Sequence, residues 1–219
     1  MKVVWDGEED VIKVVLVGES GVGKSSLALR FVENDFRFYT DSTIGARYYS
    51  KTLEVESGLL SAKSVTFKIW DTSGQEKFQA LVPLYYRGSG AAIIVFDISR
   101  PETMHSLKRW VDELREVGPP DMILILCGNK TDLSQDRRIS IQEANQYAEA
   151  IGAVYIEVSA RNGTNVHEIF HEIAKRVALL RSSSETVCTS MVDSFDPDTS
   201  CYKEFHELLV AFRRNAFCW

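Results

Sequence analysis

The segment Gly18-Glu19-Ser20-Gly21-Val22-Gly23-Lys24-Ser25 restricts this chain more than any other stretch. The apolar run Ile12-Lys13-Val14-Val15-Leu16-Val17 leads into it, and Ser25-Ser26-Leu27-Ala28-Leu29-Arg30-Phe31-Val32 leads out with helical character. A strand, a glycine-rich turn and a helix joined at Lys-Ser form the arrangement that cradles a phosphate chain. Glycine lets the backbone turn tightly. The loop N–H groups and the helix N-terminus then aim their positive ends at phosphate oxygens. In that geometry Lys24 reaches the β- and γ-phosphates, and the Ser25 hydroxyl binds Mg²⁺. Ser20, Gly21, Val22, Gly23 and Ser26 complete the candidate phosphate site.

Hydrophobic patterning downstream supplies the rest of an alternating fold. Tyr48 to Val55 and Val65 to Trp70 alternate like half-buried strands, and Gly58 in the link between them marks a hairpin with a long connection. Ala91-Ala92-Ile93-Ile94-Val95-Phe96 and Met122-Ile123-Leu124-Ile125-Leu126-Cys127 are continuously apolar, as central strands are. Ser99-Arg100-Pro101-Glu102 and Ser140-Ile141-Gln142-Glu143 carry the capping-box pattern and predict helices to about Val117 and Ile151. Val154 to Val158 is the last strand. Asn165 is read as the cap of a helix to about Arg181, with Val166, Ile169, Phe170, Ile173 and Val177 on one face. Strands alternating with helices predict an α/β fold: a mixed, mostly parallel six-stranded sheet with helices on both faces and one antiparallel edge strand from the hairpin.

Bulk properties narrow the function. A net charge of −6 argues against nucleic-acid binding, which leaves a basic footprint. Four cysteines without paired spacing predict a reducing, cytoplasmic setting. The acidic start has no signal-peptide pattern, and no apolar run approaches the ~20 residues of a membrane span. Membrane contact is therefore expected to be peripheral.

A phosphate loop alone does not separate ATPases, kinases and GTPases. Asn129-Lys130-Thr131-Asp132 directly follows a buried strand. A carboxylate there accepts the N1–H and 2-amino protons of guanine, a donor pair adenine lacks, so adenine leaves it unpaired. Ser159-Ala160, after the last strand, offers a backbone N–H to the guanine carbonyl, and Lys130 and Phe36 are placed to flank base and ribose. Asp71-Thr72-Ser73-Gly74-Gln75 follows the strand ending in Trp70. There Asp71 is a candidate Mg²⁺ holder, the Gly74 N–H a γ-phosphate donor, and Gln75 the residue that orients the attacking water. Thr43 lies in an unpatterned stretch and is a further Mg²⁺ and γ-phosphate candidate.

With these motifs in order across residues 11–181, the chain resembles the P-loop NTPases of the small Ras-like GTPase group, and within them the Rab family. Rab-like features are Ile44-Gly45 after Thr43, Lys68-Ile69-Trp70-Asp71-Thr72 and Tyr85-Tyr86-Arg87-Gly88. Leu81 to Tyr86, Gly128 before Asn129, and Asn165-Val166 with Glu168-Ile169-Phe170 look most like the early-endosomal branch. The resemblance implies a protein active with GTP and inactive with GDP, whose loops at residues 35–47 and 71–86 are ordered by the γ-phosphate and released on hydrolysis. It also implies effectors meeting Tyr48, Trp70 and Tyr85, an exchange factor, and a GTPase-activating protein for a slow intrinsic reaction. A monomer is expected, working in endosomal vesicle traffic. The rival within the fold is a nucleotide-locked interaction module that does not hydrolyse.

Departures from the family pattern are as informative. Ser73 stands where alanine is usual, beside Gly74; Tyr48 replaces phenylalanine; Arg161 replaces the lysine usual after Ser159-Ala160 and joins the candidate nucleotide set. No arginine is clearly placed to act on the phosphates in cis. Residues 1–10 read as an N-terminal extension, 182–201 as a Ser/Thr/Asp-rich linker and 202–219 as an amphipathic tail. Cys218 is the candidate lipidation site, but only Trp219 follows it and no polybasic stretch precedes it. The tail's Leu208, Leu209, Val210 and Phe212 suit a membrane surface or a protein partner as well as packing on the domain itself. Finally, His167-Glu168-Ile169-Phe170-His171 fits a zinc-binding spacing, but Ile169 and Phe170 belong to a core face and no third ligand is evident.

Overall fold

The computed structural model describes residues 9–38, 41–54, 64–75, 78 and 82–192. Six strands form one sheet in the order β2-β3-β1-β4-β5-β6. They are β1 (Glu9–Val17), β2 (Ala46–Glu54), β3 (Ser64–Thr72), β4 (Ala91–Asp97), β5 (Ile123–Asn129) and β6 (Val154–Glu157). β2 pairs antiparallel with β3 at the edge, and the other pairings are parallel. The burial of each strand follows from its place. All seven residues of the central β4 are buried, whereas the edge strand β2 alternates from Tyr48 onward.

Alternation within β1 sends Val14 and Leu16 to one face of the sheet and Val15 and Val17 to the other. On the first face, helices α1 (Lys24–Glu33) and α6 (Val166–Val192) close a core in which Phe31 stacks on Phe170 and both meet Phe67 edge-on. Helices α2 (Pro83–Tyr86), α3 (Pro101–His105), α4 (Leu107–Val117) and α5 (Ile141–Ala150) belong to the second face. There α4 buries Leu107, Trp110, Val111 and Leu114, a 3–4 spacing that brings one stripe onto the sheet. Truncating a fully buried aromatic such as Phe170 or Trp110 to alanine costs about 3–5 kcal/mol.

Local signals differ from their expectation in four places. Ser140 does cap α5, its Oγ accepting the Glu143 N–H at 3.1 Å. Ser99 does not cap α3: its hydroxyl and N–H both donate to Asp97 Oδ1, at 2.7 and 2.9 Å, and the helix starts behind Arg100 without a side-chain cap. Donating to the Asp97 carboxylate turns the hydroxyl away from the helix N–H groups it would have capped. The helix expected to run on to Val117 is divided at Ser106 into α3 and α4. Asn165 sits in the left-handed region (φ 55°), and its side-chain amide donates to the Glu157 carbonyl, tying the start of α6 to β6. α6 itself continues to Val192, through the first part of the segment read as a linker. No glycine or proline stands between Gly163 and Pro197 to stop it. The hairpin connection at 55–63, residues 1–8 and the tail with Cys218 lie outside the described residues.

Candidate functional site

The loops after β1, β3, β5 and β6 all leave the same edge of the sheet, the carboxyl ends of its parallel strands, where α/β folds place their ligands. A cavity of about 310 Å³ opens there. Its wall includes Ser20, Gly21, Gly23, Lys24, Ser25, Ser26, Phe36, Thr43, Gly74, Gln75, Asn129, Lys130, Asp132, Ala160 and Arg161, so segments more than a hundred residues apart in the chain share one concavity.

The phosphate loop packs against its neighbours with no room to spare. Gly18 has φ 134°, and a Cβ on it would lie 2.2 Å from the Val95 carbonyl oxygen. Gly23 has φ 99°, and a Cβ there would lie 2.4 Å from Asn129 Nδ2. Only glycine meets both demands, left-handed backbone and absent side chain. Lys24 is buried, and its ammonium donates to the Gly18 and Glu19 carbonyls at 2.8 Å each. Burial pushes its pKa down to about 8, against the pull of Asp71 and Glu19. The side chain of Val22 faces the core; its carbonyl accepts from Asn129 Nδ2 at 2.8 Å.

Three oxygens converge beside Lys24. Ser25 Oγ lies 2.8 Å from Thr43 Oγ1 and donates to Asp71 Oδ2 at 2.5 Å, and Thr43 Oγ1 lies 3.5 Å from the same carboxylate oxygen. Asp71 is fully buried, and burial raises its pKa although Ser25 and Lys24 act the other way. Its second oxygen, Oδ1, has no hydrogen-bond partner among the described residues. An orphaned buried carboxylate oxygen next to two hydroxyls is a hard-oxygen donor set of the kind Mg²⁺ takes, so these residues fit the ion.

Asn129 and Asp132 organise the opposite end. Asn129 is buried and bridges two loops, donating to Val22 and accepting the Ala160 N–H at 3.1 Å. Asp132 accepts from Ser159 Oγ at 2.6 Å and lies 3.7 Å from Arg161 Nη1. Ser159 is buried and lies behind the cavity wall, holding Asp132 and accepting the Asn162 N–H. Lys130 adopts left-handed backbone (φ 70°), and its ammonium reaches Asp97 Oδ2 at 2.7 Å.

Asp97 was not singled out in the sequence, although an acid closing an otherwise apolar strand is a visible signal. Burial alone would raise its pKa; hydrogen bonds from Lys130 and Ser99 outweigh burial and hold it below the ordinary value. Arg100, part of the Ser99–Glu102 pattern, carries no local signal of a place at the site. It pairs with Asp97 at 3.2 Å and donates to the Ser20 carbonyl at 3.4 Å, which places a guanidinium beside the phosphate loop. Ser73 is buried; its N–H donates to Gly45 and its hydroxyl accepts the Gln75 N–H at 3.2 Å.

Three aromatic rings meet at the sheet edge. Trp70 lies 5.3 Å from Tyr48 and 5.0 Å from Tyr85 between ring centroids, and Tyr48 is exposed. His167 packs its ring on Phe31 at 5.4 Å, and no group of three or more His, Cys, Asp or Glu side chains able to hold a metal ion occurs among the described residues.

A family model described as "Ras family" matches residues 13–179. The chain is 48% identical over 165 residues to the Ras-related protein Rab5 of Nicotiana tabacum, covering 75% of this chain and 80% of that protein. It is 48% identical over 166 residues to human Ras-related protein Rab-22A and 45% identical over 166 residues to mouse Rab-31, covering 76% of this chain and 83% of each relative. The likeness favours the hydrolysing reading over a nucleotide-locked module. The chain belongs to the Ras family, within it to the Rab proteins of the early-endosomal branch, and is a small GTPase that binds GTP and GDP, hydrolyses GTP and regulates endosomal vesicle traffic.

Proposed function

We propose that the cavity holds the guanine nucleotide lengthwise, with its phosphates over residues 18–25 and its base against Asn129–Asp132 and Ser159–Arg161. The observation that carries this reading is the meeting, in one cavity, of the Lys24 and Ser25 cradle with Asp132 and Ala160. Backbone N–H groups of the loop and the Lys24 ammonium bind the phosphates, and Ser26 and Gly21 line their path. The carboxylate of Asp132 accepts the N1–H and 2-amino protons of guanine, and the Ala160 N–H is shared between the guanine carbonyl and Asn129 Oδ1. Phe36 and Lys130 flank base and ribose.

Ser25, Thr43 and Asp71 hold Mg²⁺, which supplies positive charge against the phosphate oxygens when bound. The Gly74 N–H takes the γ-phosphate. Gln75 accepts from and orients the attacking water, and the Ser73 hydroxyl holds its backbone N–H. GTP is converted to GDP and phosphate, slowly unless an activating protein assists.

Tyr48, Trp70 and Tyr85 form the effector surface. The protein works as a monomer, cytoplasmic and peripherally bound to endosomal membranes; no helix among the described residues is long and apolar enough to cross one. Cys218 and the apolar tail residues Leu208, Leu209, Val210 and Phe212 are the two candidate routes to that membrane.

Asp132→Asn tests the base assignment. Asparagine presents a donor where the carboxylate accepts, so preference moves from guanine toward xanthine nucleotides. Competition of GTP and xanthosine triphosphate for the variant reads the shift; retained guanine preference overturns the assignment. Removing Mg²⁺ with a chelator is expected to speed GDP release in the wild type, and Asp71→Asn is expected to show the fast rate without chelator.

A further inference from the structure

Two arginines join the rims of the cavity. Arg30 in α1 spreads its guanidinium over both: Nε donates to the Ala160 carbonyl at 2.9 Å and Nη2 to the Arg161 carbonyl at 2.7 Å, while Nη1 donates to Asn34, to its carbonyl at 2.8 Å and to Oδ1 at 3.2 Å. Asn34 is the left-handed residue that ends α1 and sends the chain toward Phe36 and Phe38. One fork thus fixes the start of the Phe36–Phe38 rim and the backbone of the Ala160–Arg161 rim at a set separation. From that fixed backbone the Arg161 side chain crosses the gap. Its guanidinium lies 5.3 Å from the centre of the Phe38 ring and 3.7 Å from Asp132 Oδ2, and Phe38 in turn meets Phe36 edge-on at 5.3 Å. Phe36, Phe38, Asp132 and Arg161 all line the cavity, and Phe38 is 73% exposed. A phenylalanine ring left so open gains little by burial; what holds it is the cation on its face.

We propose that Arg161 and Phe38 form a clasp over the base end of the nucleotide, anchored by Arg30, and that this clasp sets how long GDP stays bound. Arg161 is a positioning residue: it acts on the nucleotide by holding Phe38, and through it Phe36, against the cavity. Lysine at 161 keeps the charge and loses the flat guanidinium that both stacks and pairs. The inference rests on the nucleotide assignment above and goes beyond it by naming what limits release.

The test is stopped-flow release of mant-GDP into excess GDP with Mg²⁺ present, for wild type, R161A, F38A, the double variant and F38W. Each single alanine variant is expected to release about two- to fivefold faster, the range an exposed cation–π contact is worth. The double variant is expected to be no faster than the faster single one, because both remove the same contact. F38W restores slow release, since tryptophan offers a better face to the cation. Nucleotide-free melting temperatures of R161A and F38A are expected to fall by no more than about 4 °C, whereas a general loss of structure would lower them further. Unchanged release in R161A and F38A, effects that multiply in the double variant, or an F38W as fast as F38A overturns the clasp. A wild type that does not bind mant-GDP strikes the nucleotide assignment itself; normal binding with unaltered release in the variants strikes only the clasp.

Discussion

Replacing Asn129 with alanine removes one buried amide that joins the two halves of the nucleotide site. Its Nδ2 and Oδ1 hold the Val22 carbonyl and the Ala160 N–H, 2.8 and 3.1 Å away. Without them a buried acceptor on the phosphate loop and a buried donor on the base loop are both left unpaired. Each orphaned group costs about 1–3 kcal/mol, so the two together cost about 2–6 kcal/mol. Ala160 and the Gly21 and Gly23 neighbours of Val22 line a cavity that admits water, so the lowest part of that range, about 2–3 kcal/mol, is expected. The amide also fixes the spacing between two loops that the same ligand spans, and in its absence the ligand has to order them itself. The loss therefore appears in nucleotide affinity, as GDP release about 30- to 150-fold faster at about 1.4 kcal/mol per factor of ten. Nucleotide-free stability falls as well, by about 4–12 °C in melting temperature for a domain of this size. Fluorescent-GDP release and thermal unfolding read the two effects. Release within twofold of wild type together with an unchanged melting temperature would refute the claim that Asn129 couples the loops.

Other expectations come from single contacts. Gly74→Ala puts a Cβ 2.5 Å from Ser20 N and Glu19 C, backbone atoms that have nowhere to go; GDP binding is expected to survive while single-turnover hydrolysis falls at least about tenfold, corresponding to about 1.4 kcal/mol of lost transition-state contact. Burial raises the pKa of Glu157, but hydrogen bonds from Arg137 and Tyr155 more than offset this and leave it below 4.5. Its contribution is thus present above pH 4.5 and lost as pH falls through the lowered folded value, so the stability gap between wild type and Glu157→Gln is expected to be widest near neutrality and to close in acid, as denaturant titrations at several pH values would show. Ser140→Ala removes the α5 cap and is expected to cost about 1 kcal/mol, a drop of about 2–4 °C by calorimetry; no drop would mean that Glu143 N–H finds water at no loss.

The sequence alone determined what depends on short spacing. Gly18, Gly23, Lys24 and Ser25 lie within one turn of chain, and their chemistry is dictated by the backbone they force. The continuous apolarity of 91–96 and 122–127 declared central parallel strands, and the alternation from Tyr48 declared an edge strand, because burial on two faces or one writes directly into the pattern. Competition between neighbours already defeated local reading at Ser99, where Asp97 two residues back took the hydroxyl meant for a cap. Tertiary structure decided the contacts between distant segments. The meeting of Ser25, Thr43 and Asp71, the burial that leaves Asp71 Oδ1 unpaired, the Asp97 pairing with Lys130 and Arg100, and the reach of Arg30 across to Ala160 and Arg161 carry no local signal. Ser73 and Arg161 were visible only as departures from a pattern, and Phe38 carried no signal, until the fold supplied their partners. Side-chain chemistry is set by residue type, but a partner is set by where the sheet and its helices bring the chain back, and no spacing in the sequence encodes that distance.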